Sequence, residues 1–160
     1  MNKKVRVKMT INGSVFETLI SRRRSLVDFL REDLHLTGTK KGCGTGDCGS
    51  CVVLINGEPR TSCNMPAYRA NGMEIVTIEG IADGRTLSPL QKAFVEAGAI
   101  QCGFCTPGMI LEATAFLKKN PCPSENEIRE AISGHICRCT GYVKIVEAIL
   151  MASQSMATED

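Results

Sequence analysis

The pattern of hydrophobic and polar positions divides the chain into two halves with different periods. Over residues 5–11, apolar and polar positions alternate, which is the two-residue period of a half-buried strand. From about residue 86 onward, apolar residues recur at the three- and four-residue spacing of amphipathic helices. The change of period predicts two small domains, residues 1–80 and 87–160, joined by a glycine-containing linker at residues 81–86.

The first half reads as strands around one helix. Asn-Gly pairs at residues 12–13 and 56–57 each follow an apolar run, and this pair is typical of type I′ hairpin turns. Between the hairpins, Ser25 and Asp28 predict a capped helix start ahead of an apolar stripe. A last strand is predicted at residues 75–78. Two hairpins and one crossing helix predict a small mixed sheet of the β-grasp kind.

The second half contains four helix-start signals, each followed by an apolar stripe. Helix starts are predicted at Ser88, Thr106, Ser124 and Thr140, two of them with proline as the next residue. Short connections between helices favour antiparallel neighbours in a compact all-α bundle. The fold class is therefore predicted as α+β, with a β-grasp domain followed by a four-helix bundle.

Composition excludes some classes of function and raises one question. No apolar run approaches the roughly 20 residues of a membrane span, and the net charge of +2 is too small to indicate nucleic-acid binding. The basic residues at 3–8 and 22–24 are interpreted as a solvated face or a docking surface. The start of the sequence lacks the apolar block of a signal peptide, so we expect a cytoplasmic protein. Nine cysteines in that compartment indicate metal or redox chemistry.

Four cysteines of the first half have a spacing typical of plant-type 2Fe-2S ferredoxins. Cys43, Cys48 and Cys51 follow C-x4-C-x2-C, and Cys63 lies further along the chain. The loop is rich in glycine, which lets a backbone with positive φ wrap tightly around a cluster and turn its N–H groups toward sulfur. Zinc and disulfides are the alternatives, and zinc more often uses C-x2-C pairs.

Four cysteines of the second half form two short pairs, each just ahead of a predicted helix. Cys102 and Cys105 form C-x2-C, and Cys137 and Cys139 form C-x-C. Helix N-termini offer free N–H groups and the positive end of a dipole, so bringing two of them together makes a four-thiolate pocket. By spacing alone this pocket suits zinc as well as a second cluster. The ninth cysteine, Cys122, lies between two prolines and is expected to bind no metal.

Three segments together resemble a known family. They are GCGTGDCGSC at residues 42–51, QCGFCTPGM at residues 101–109 and CRCTGY at residues 137–142. In these the chain resembles the small iron–sulfur subunit of the molybdenum hydroxylases, the xanthine oxidase and xanthine dehydrogenase family, over roughly residues 4–150. The resemblance implies a 2Fe-2S cluster in each domain, with the eight cysteines other than Cys122 as ligands.

The resemblance also implies a division of labour within an oxidoreductase complex. A large subunit holds the molybdenum–pterin cofactor (molybdopterin or its cytosine dinucleotide) and the substrate, a medium subunit holds FAD, and the assembly is a dimer of heterotrimers. Electrons would pass from molybdenum through both clusters to FAD, so this chain has no substrate site. Gln101 and Cys139 would lie beside the pterin. The substrate stays open among purines, other N-heterocycles, aldehydes, carbon monoxide and aromatic thioesters.

Two other interpretations compete with this one. A free-standing ferredoxin-type electron carrier would need only the first half, and a zinc-stapled interaction module would need no iron. The family usually has asparagine where this chain has His135, and a histidine near a cluster raises a Rieske-type hypothesis. That hypothesis needs two histidines on one iron, and only His35, far along the chain, remains. Both histidines are therefore expected to be structural.

Overall fold

The first half forms a five-stranded mixed sheet. The computed structural model describes residues 4–157. The strands are β1 (Lys4–Ile11), β2 (Ser14–Ser21), β3 (Val52–Ile55), β4 (Glu58–Thr61) and β5 (Glu74–Val76). They lie in the order β2-β1-β5-β3-β4; β1 and β5 are parallel, and the other three neighbouring pairs are antiparallel. This is the β-grasp arrangement predicted from the hydrophobic pattern.

The two predicted hairpin turns are present and have the expected backbone. Asn12 and Gly13 have φ values of 48° and 78°, and Asn56 and Gly57 have 51° and 83°. A type I′ turn needs positive φ at both central residues, and its twist matches that of the flanking strands. The turns therefore set the registers of β1 with β2 and of β3 with β4.

One short helical segment crosses the sheet, and its apolar side chains pack into the core of the first domain. Helix α1 (Leu26–Asp28) continues as a wider π-type turn over Phe29–Asp33. The Ser25 hydroxyl accepts a hydrogen bond from the Asp28 N–H at 3.3 Å, which is the cap that the sequence predicts. The predicted last strand is shorter than expected and ends at Val76, because the Thr77 N–H donates to the Asn12 side chain at 2.9 Å instead of pairing with a strand.

The second half contains the four predicted helices. They are α2 (Pro89–Glu96), α3 (Thr106–Lys119), α4 (Glu125–Ala131) and α5 (Val143–Ala157). Ser88 and Ser124 each form a complete capping box at the start of a helix. Helix α5 begins three residues after Thr140, the predicted start. The Thr140 hydroxyl instead contacts a cysteine, as described below.

Each half has its own hydrophobic core, and a third apolar cluster joins them. In that cluster Leu111 and Ala115 of α3 pack against Val52 and Leu54 of β3, and all four are buried. Ile81, in the expected linker, packs against this cluster as well as against the helical core. The linker is thus part of the packed structure. No helix within residues 4–157 is long and apolar enough to cross a membrane.

Candidate metal centres

The first centre is built by one tight loop and one neighbouring residue. Residues 42–51 lie between the α1 segment and β3, and Gly44, Gly46 and Gly49 within them have φ values of 77°, 96° and 72°. These positive values confirm the conformation expected of the loop. The Cys43 N–H donates to the Cys48 sulfur at 3.4 Å, and the Thr45 N–H donates to the Cys43 sulfur at 3.4 Å.

The remaining two thiols of this centre are buried. Cys51, at the end of the loop, and Cys63, just after β4, pack together with Val27. Burial, followed by contact with the Cys51 thiol, raises the pKa of Cys63 to about 11. Hydrogen bonds from the side chain and then the backbone N–H of Thr45 lower the pKa of the exposed Cys43 to about 5. The outer thiol therefore ionises more readily than the inner one.

The second centre joins two loops that are distant in sequence. Cys102 and Cys105 precede α3, and Cys137 and Cys139 precede α5. The Cys139 and Cys102 sulfurs are 3.6 Å apart. Burial, followed by contact with the Cys137 thiol, raises the pKa of Cys105 to about 12. The fold thus brings together the four cysteines of the second predicted quartet.

In both centres the thiols lie in pairs. The pairs are Cys43 with Cys48, Cys51 with Cys63, Cys102 with Cys139, and Cys105 with Cys137. A cluster with two irons needs two thiolates on each iron, whereas a structural zinc ion needs four donors around one point. The donor set therefore fits a two-iron cluster in each domain.

Cys122 lies apart from these pairs. It is exposed in the connection between α3 and α4, next to the Ser124 cap. In the described part of the chain, no hydrogen bond joins it to another cysteine. That it binds no metal stays a prediction.

The two residues expected beside the pterin lie on an exposed face of the helical domain. Gln101 is exposed next to Cys102, whose sulfur contacts that of the exposed Cys139. Large apolar side chains around them are also exposed: Ile100, Phe104, Ile136 and Val143, with exposed fractions from 41% to 59%. Exposed apolar groups gathered around polar ones are typical of a binding surface.

The two centres approach each other at a closely packed junction. The Ile136 N–H donates to the Cys48 carbonyl at 3.1 Å, which links the second cysteine loop directly to the first. A Cβ atom at Gly49 would lie 2.5 Å from the His135 ring, and one at Gly108 would collide with the Gly49 carbonyl oxygen. Only glycine therefore allows this approach of the two domains.

His135 fills this junction and is buried, with 4% of its surface exposed. Burial lowers the pKa of His135 to about 4, so the ring is neutral. Gly108 lies beside the ring, but neither ring nitrogen has a partner with hydrogen-bond geometry in the described structure. His35 is exposed in the loop that follows the α1 segment. The packing of His135 agrees with the structural role expected of it.

The sequence did not predict that Thr140 and Tyr142 contact a cysteine of the second centre. The Thr140 hydroxyl donates to the Cys137 sulfur at 3.1 Å, and the Tyr142 hydroxyl accepts the Cys137 N–H at 2.9 Å. Burial raises the pKa of Cys137, but hydrogen bonds from the side chain and backbone of Thr140, together with those from Cys139 and Cys105, lower it below its ordinary value. Both residues lie within the CRCTGY segment, yet spacing alone gives no sign of what their hydroxyl groups contact.

Comparison with known proteins identifies both domains. The model of the 2Fe-2S iron-sulfur cluster binding domain matches residues 9–74, and that of the [2Fe-2S] binding domain matches residues 77–150. The chain is 47% identical to the nicotinate dehydrogenase small FeS subunit of Eubacterium barkeri, over 96% of this chain and 98% of the relative.

Solved structures agree with these matches. A chain of quinoline 2-oxidoreductase from Pseudomonas putida 86 is 44% identical with a TM-score of 0.94, and 98% of each chain is covered. An aldehyde oxidoreductase from Desulfovibrio gigas is 38% identical with a TM-score of 0.91, over 98% of this chain but only 18% of that larger chain. The same two-domain unit thus occurs as a separate small chain and as part of a longer one.

Proposed function

This chain belongs to the small iron–sulfur subunits of the molybdenum hydroxylase family, and on that premise we propose that it relays electrons within a molybdenum-containing oxidoreductase complex. It would accept them from a molybdenum–pterin centre on a large subunit and pass them to FAD on a partner subunit. The observation that carries the proposal is the pairing of eight thiols in two centres that one packed junction holds together. When bound, each 2Fe-2S cluster would take up and release one electron at a time.

We assign the ligands by these pairs. Cys43 and Cys48 would hold one iron of the first cluster, and Cys51 with Cys63 the other. In the helical domain the corresponding pairs are Cys102 with Cys139 and Cys105 with Cys137. The contacts within the pairs support this assignment: the Cys102 and Cys139 sulfurs are 3.6 Å apart, and each of the other pairs interacts through its thiol groups. Both centres also agree in having two pairs.

The chain would keep the two clusters at a constant separation. The apolar contact of α3 with β3 and the hydrogen bond from Ile136 to the Cys48 carbonyl oppose any movement of one domain against the other. Electron transfer falls off steeply with distance, so a flexible linker would be a disadvantage in such a relay. We propose residues 1–80 as the ferredoxin-like domain and residues 87–160 as the helical domain. Residues 81–86 form the linker, which is packed against both.

Gln101 and Cys139 would face the pterin of the large subunit. Both are exposed on the same side of the helical domain, among apolar side chains that a partner could cover. The exposed Cys43 belongs to the other domain, and its loop would face the FAD subunit. Substrate selectivity would then belong to the large subunit. The face of this chain that would contact that subunit presents the cysteine pair Cys102 and Cys139 as cluster ligands, and we assign no substrate-binding pocket to it.

We further propose a dimer of heterotrimers in the cytoplasm. The relatives include chains named as small or lettered subunits of dehydrogenases, which favours separate partner chains over a free electron carrier. The nine cysteines form no disulfide bond, which suits a reducing compartment.

Metal analysis of the intact complex, purified through a tag on this chain, tests the proposal. We expect about four irons and four acid-labile sulfides per chain and two distinct paramagnetic signals after reduction with dithionite. Large and medium chains should copurify with it. Stoichiometric zinc, or only two irons, would contradict the cluster assignment, and recovery of this chain alone would instead favour the free carrier.

A further inference from the structure

In the helical domain, two hydroxyl groups form hydrogen bonds with Cys137, one with its sulfur and one with its backbone N–H. The Thr140 hydroxyl donates to the Cys137 sulfur at 3.1 Å. The Tyr142 hydroxyl accepts the Cys137 N–H at 2.9 Å and donates to the His135 carbonyl at 3.3 Å. The sulfur and the amide of Cys137 are thus positioned by side chains of the same short segment.

Tyr142 also orients Thr140. Its backbone N–H donates to the Thr140 oxygen at 3.2 Å, which directs the hydroxyl hydrogen of Thr140 toward the Cys137 sulfur. Tyr142 also has an uncommon backbone conformation, with a φ of 70° in the left-handed region that residues other than glycine rarely adopt. Strain of this kind persists only where surrounding contacts impose it and is frequent at functional sites.

The ferredoxin-like loop also contains a threonine beside a cysteine sulfur, but a carboxylate competes for the hydrogen of its hydroxyl group. Thr45 lies two residues after Cys43, and its hydroxyl is 2.6 Å from a carboxylate oxygen of Asp47. A hydroxyl group has one hydrogen to donate, and a short hydrogen bond to a charged carboxylate is stronger than one to a cysteine sulfur. The Thr45 side chain also lies close enough to the Cys43 sulfur to lower the pKa of that thiol. Because the hydroxyl hydrogen is directed to Asp47, the donor that this sulfur keeps is the Thr45 N–H at 3.4 Å.

We propose that the Thr140 hydroxyl, oriented by Tyr142, raises the reduction potential of the cluster in the helical domain by its hydrogen bond to the Cys137 thiolate. The inference rests on the proposed ligand role of Cys137. A donor at a ligating sulfur draws negative charge from it and so favours the reduced cluster, which has one more negative charge. Thr140 is a positioning and tuning residue that acts through Cys137.

Thr140→Val tests this, because valine keeps the shape and removes the hydroxyl. Potentials of both clusters are measured on the intact complex by titration with dithionite, followed by electron paramagnetic resonance. We expect the ratio of reduced to oxidised helical-domain cluster at a set potential to fall roughly tenfold, as for loss of one hydrogen bond to a charged group. A tenfold change corresponds to about 59 mV for one electron. The ferredoxin-like cluster is the internal control and should not shift.

Two further variants distinguish tuning from structural support. Thr140→Ser keeps a hydroxyl and should restore the potential. Tyr142→Phe keeps the Thr140 hydroxyl and its backbone donor, so it should shift the potential less than Thr140→Val does. An unchanged potential in Thr140→Val, a serine variant that behaves like valine, or an equal shift in Tyr142→Phe would overturn the inference.

Iron content separates this inference from the proposed function. A wild-type complex with one cluster signal or with zinc would contradict the cluster assignment itself. Four irons and two signals with no selective shift would contradict only the role of Thr140. If Thr140→Val loses two irons, the helical-domain cluster of that variant has no potential to measure. The serine variant is then the test of the inference, because restoring a hydroxyl at residue 140 must restore the wild-type potential.

Discussion

The two candidate metal centres reach the same chemistry by different routes. Three of the four thiols of the first centre come from one glycine-rich loop, residues 42–51. The fourth, Cys63, comes from just after a neighbouring strand. The second exists only because α3 and α5 bring their N-terminal loops together. The loop orients its donors by its own backbone, whereas the site between the helices uses the side chains of Thr140 and Tyr142 to do so.

The centres also differ in what surrounds them. The outer thiol of the loop, Cys43, is exposed among glycines and polar residues, whereas Cys102 and Cys139 are exposed among large apolar side chains. An apolar surround excludes water once a partner covers it, and a polar one stays wet. The two faces are therefore suited to different partners, as expected of a relay with an entry side and an exit side.

The largest expected effect comes from removing one buried ligand of either centre. Cys51→Ser should lose the cluster of the loop, and Cys105→Ser that of the helical pocket, each with about two of the four irons. Each change should remove one paramagnetic signal and leave the other. Cys122→Ser is the matched control and should lose no iron. Loss of two irons in that control would show that the helical pocket has a different ligand set.

The second prediction concerns the junction between the centres. Gly108→Ala should destabilise the chain by about 1–3 kcal/mol, because the new methyl group collides with the Gly49 carbonyl, which cannot rotate away. Alanine is favoured in a helix by only about 1 kcal/mol, so the collision prevails. Urea denaturation measures the change. Gly134→Ala, where the added carbon meets no atom within 4 Å, should be tolerated; equal stability of both variants would mean that the junction is loose.

A smaller effect is expected at the contact of α3 with the sheet. Burial, and then the nearby Glu58, raise the pKa of Glu112 above its ordinary value of 4.5, while Lys119 opposes this. A carboxyl with a raised pKa in the folded state costs stability as the pH rises above its unfolded value, and costs none below it. Glu112→Gln should therefore stabilise the chain at pH 7, with a gain that shrinks toward pH 5.

Denaturation of the metal-loaded protein between pH 5 and 8 measures this gain. Glu130→Gln, an exposed position on α4, serves as the control. A gain for Glu112→Gln that is independent of pH would mean that the carboxyl charge is not its cause.

The smallest expected effect is at Thr45. Thr45→Val removes the bond to Asp47 but keeps the backbone N–H that reaches the Cys43 sulfur. We therefore expect the potential of the ferredoxin-like cluster to change less than that of the helical-domain cluster in Thr140→Val. The same redox titration compares the two variants. An equal or larger shift in Thr45→Val would remove the distinction between amide-donor and hydroxyl-donor centres.

Much of the architecture follows from local signals that the sequence contains. The Asn-Gly turns at residues 12–13 and 56–57 and the caps at Ser88 and Ser124 depend on residues close together in the chain, and all are present as predicted. The same holds for the positive φ values of Gly44, Gly46 and Gly49, which the tight turn of the loop requires. Local rules apply here because each feature satisfies its own backbone groups.

The sequence also determined which cysteines are available, and its resemblance to a family grouped them into two quartets. Only the tertiary structure decided how they pair, that His135 lies between Gly49 and Gly108, and that the linker is packed. It also decided that the Thr140 hydroxyl serves the Cys137 sulfur while that of Thr45 serves a carboxylate. The physical reason is that hydrogen-bond partners and steric contacts depend on positions to within a few tenths of an ångström, which spacing along a chain does not specify.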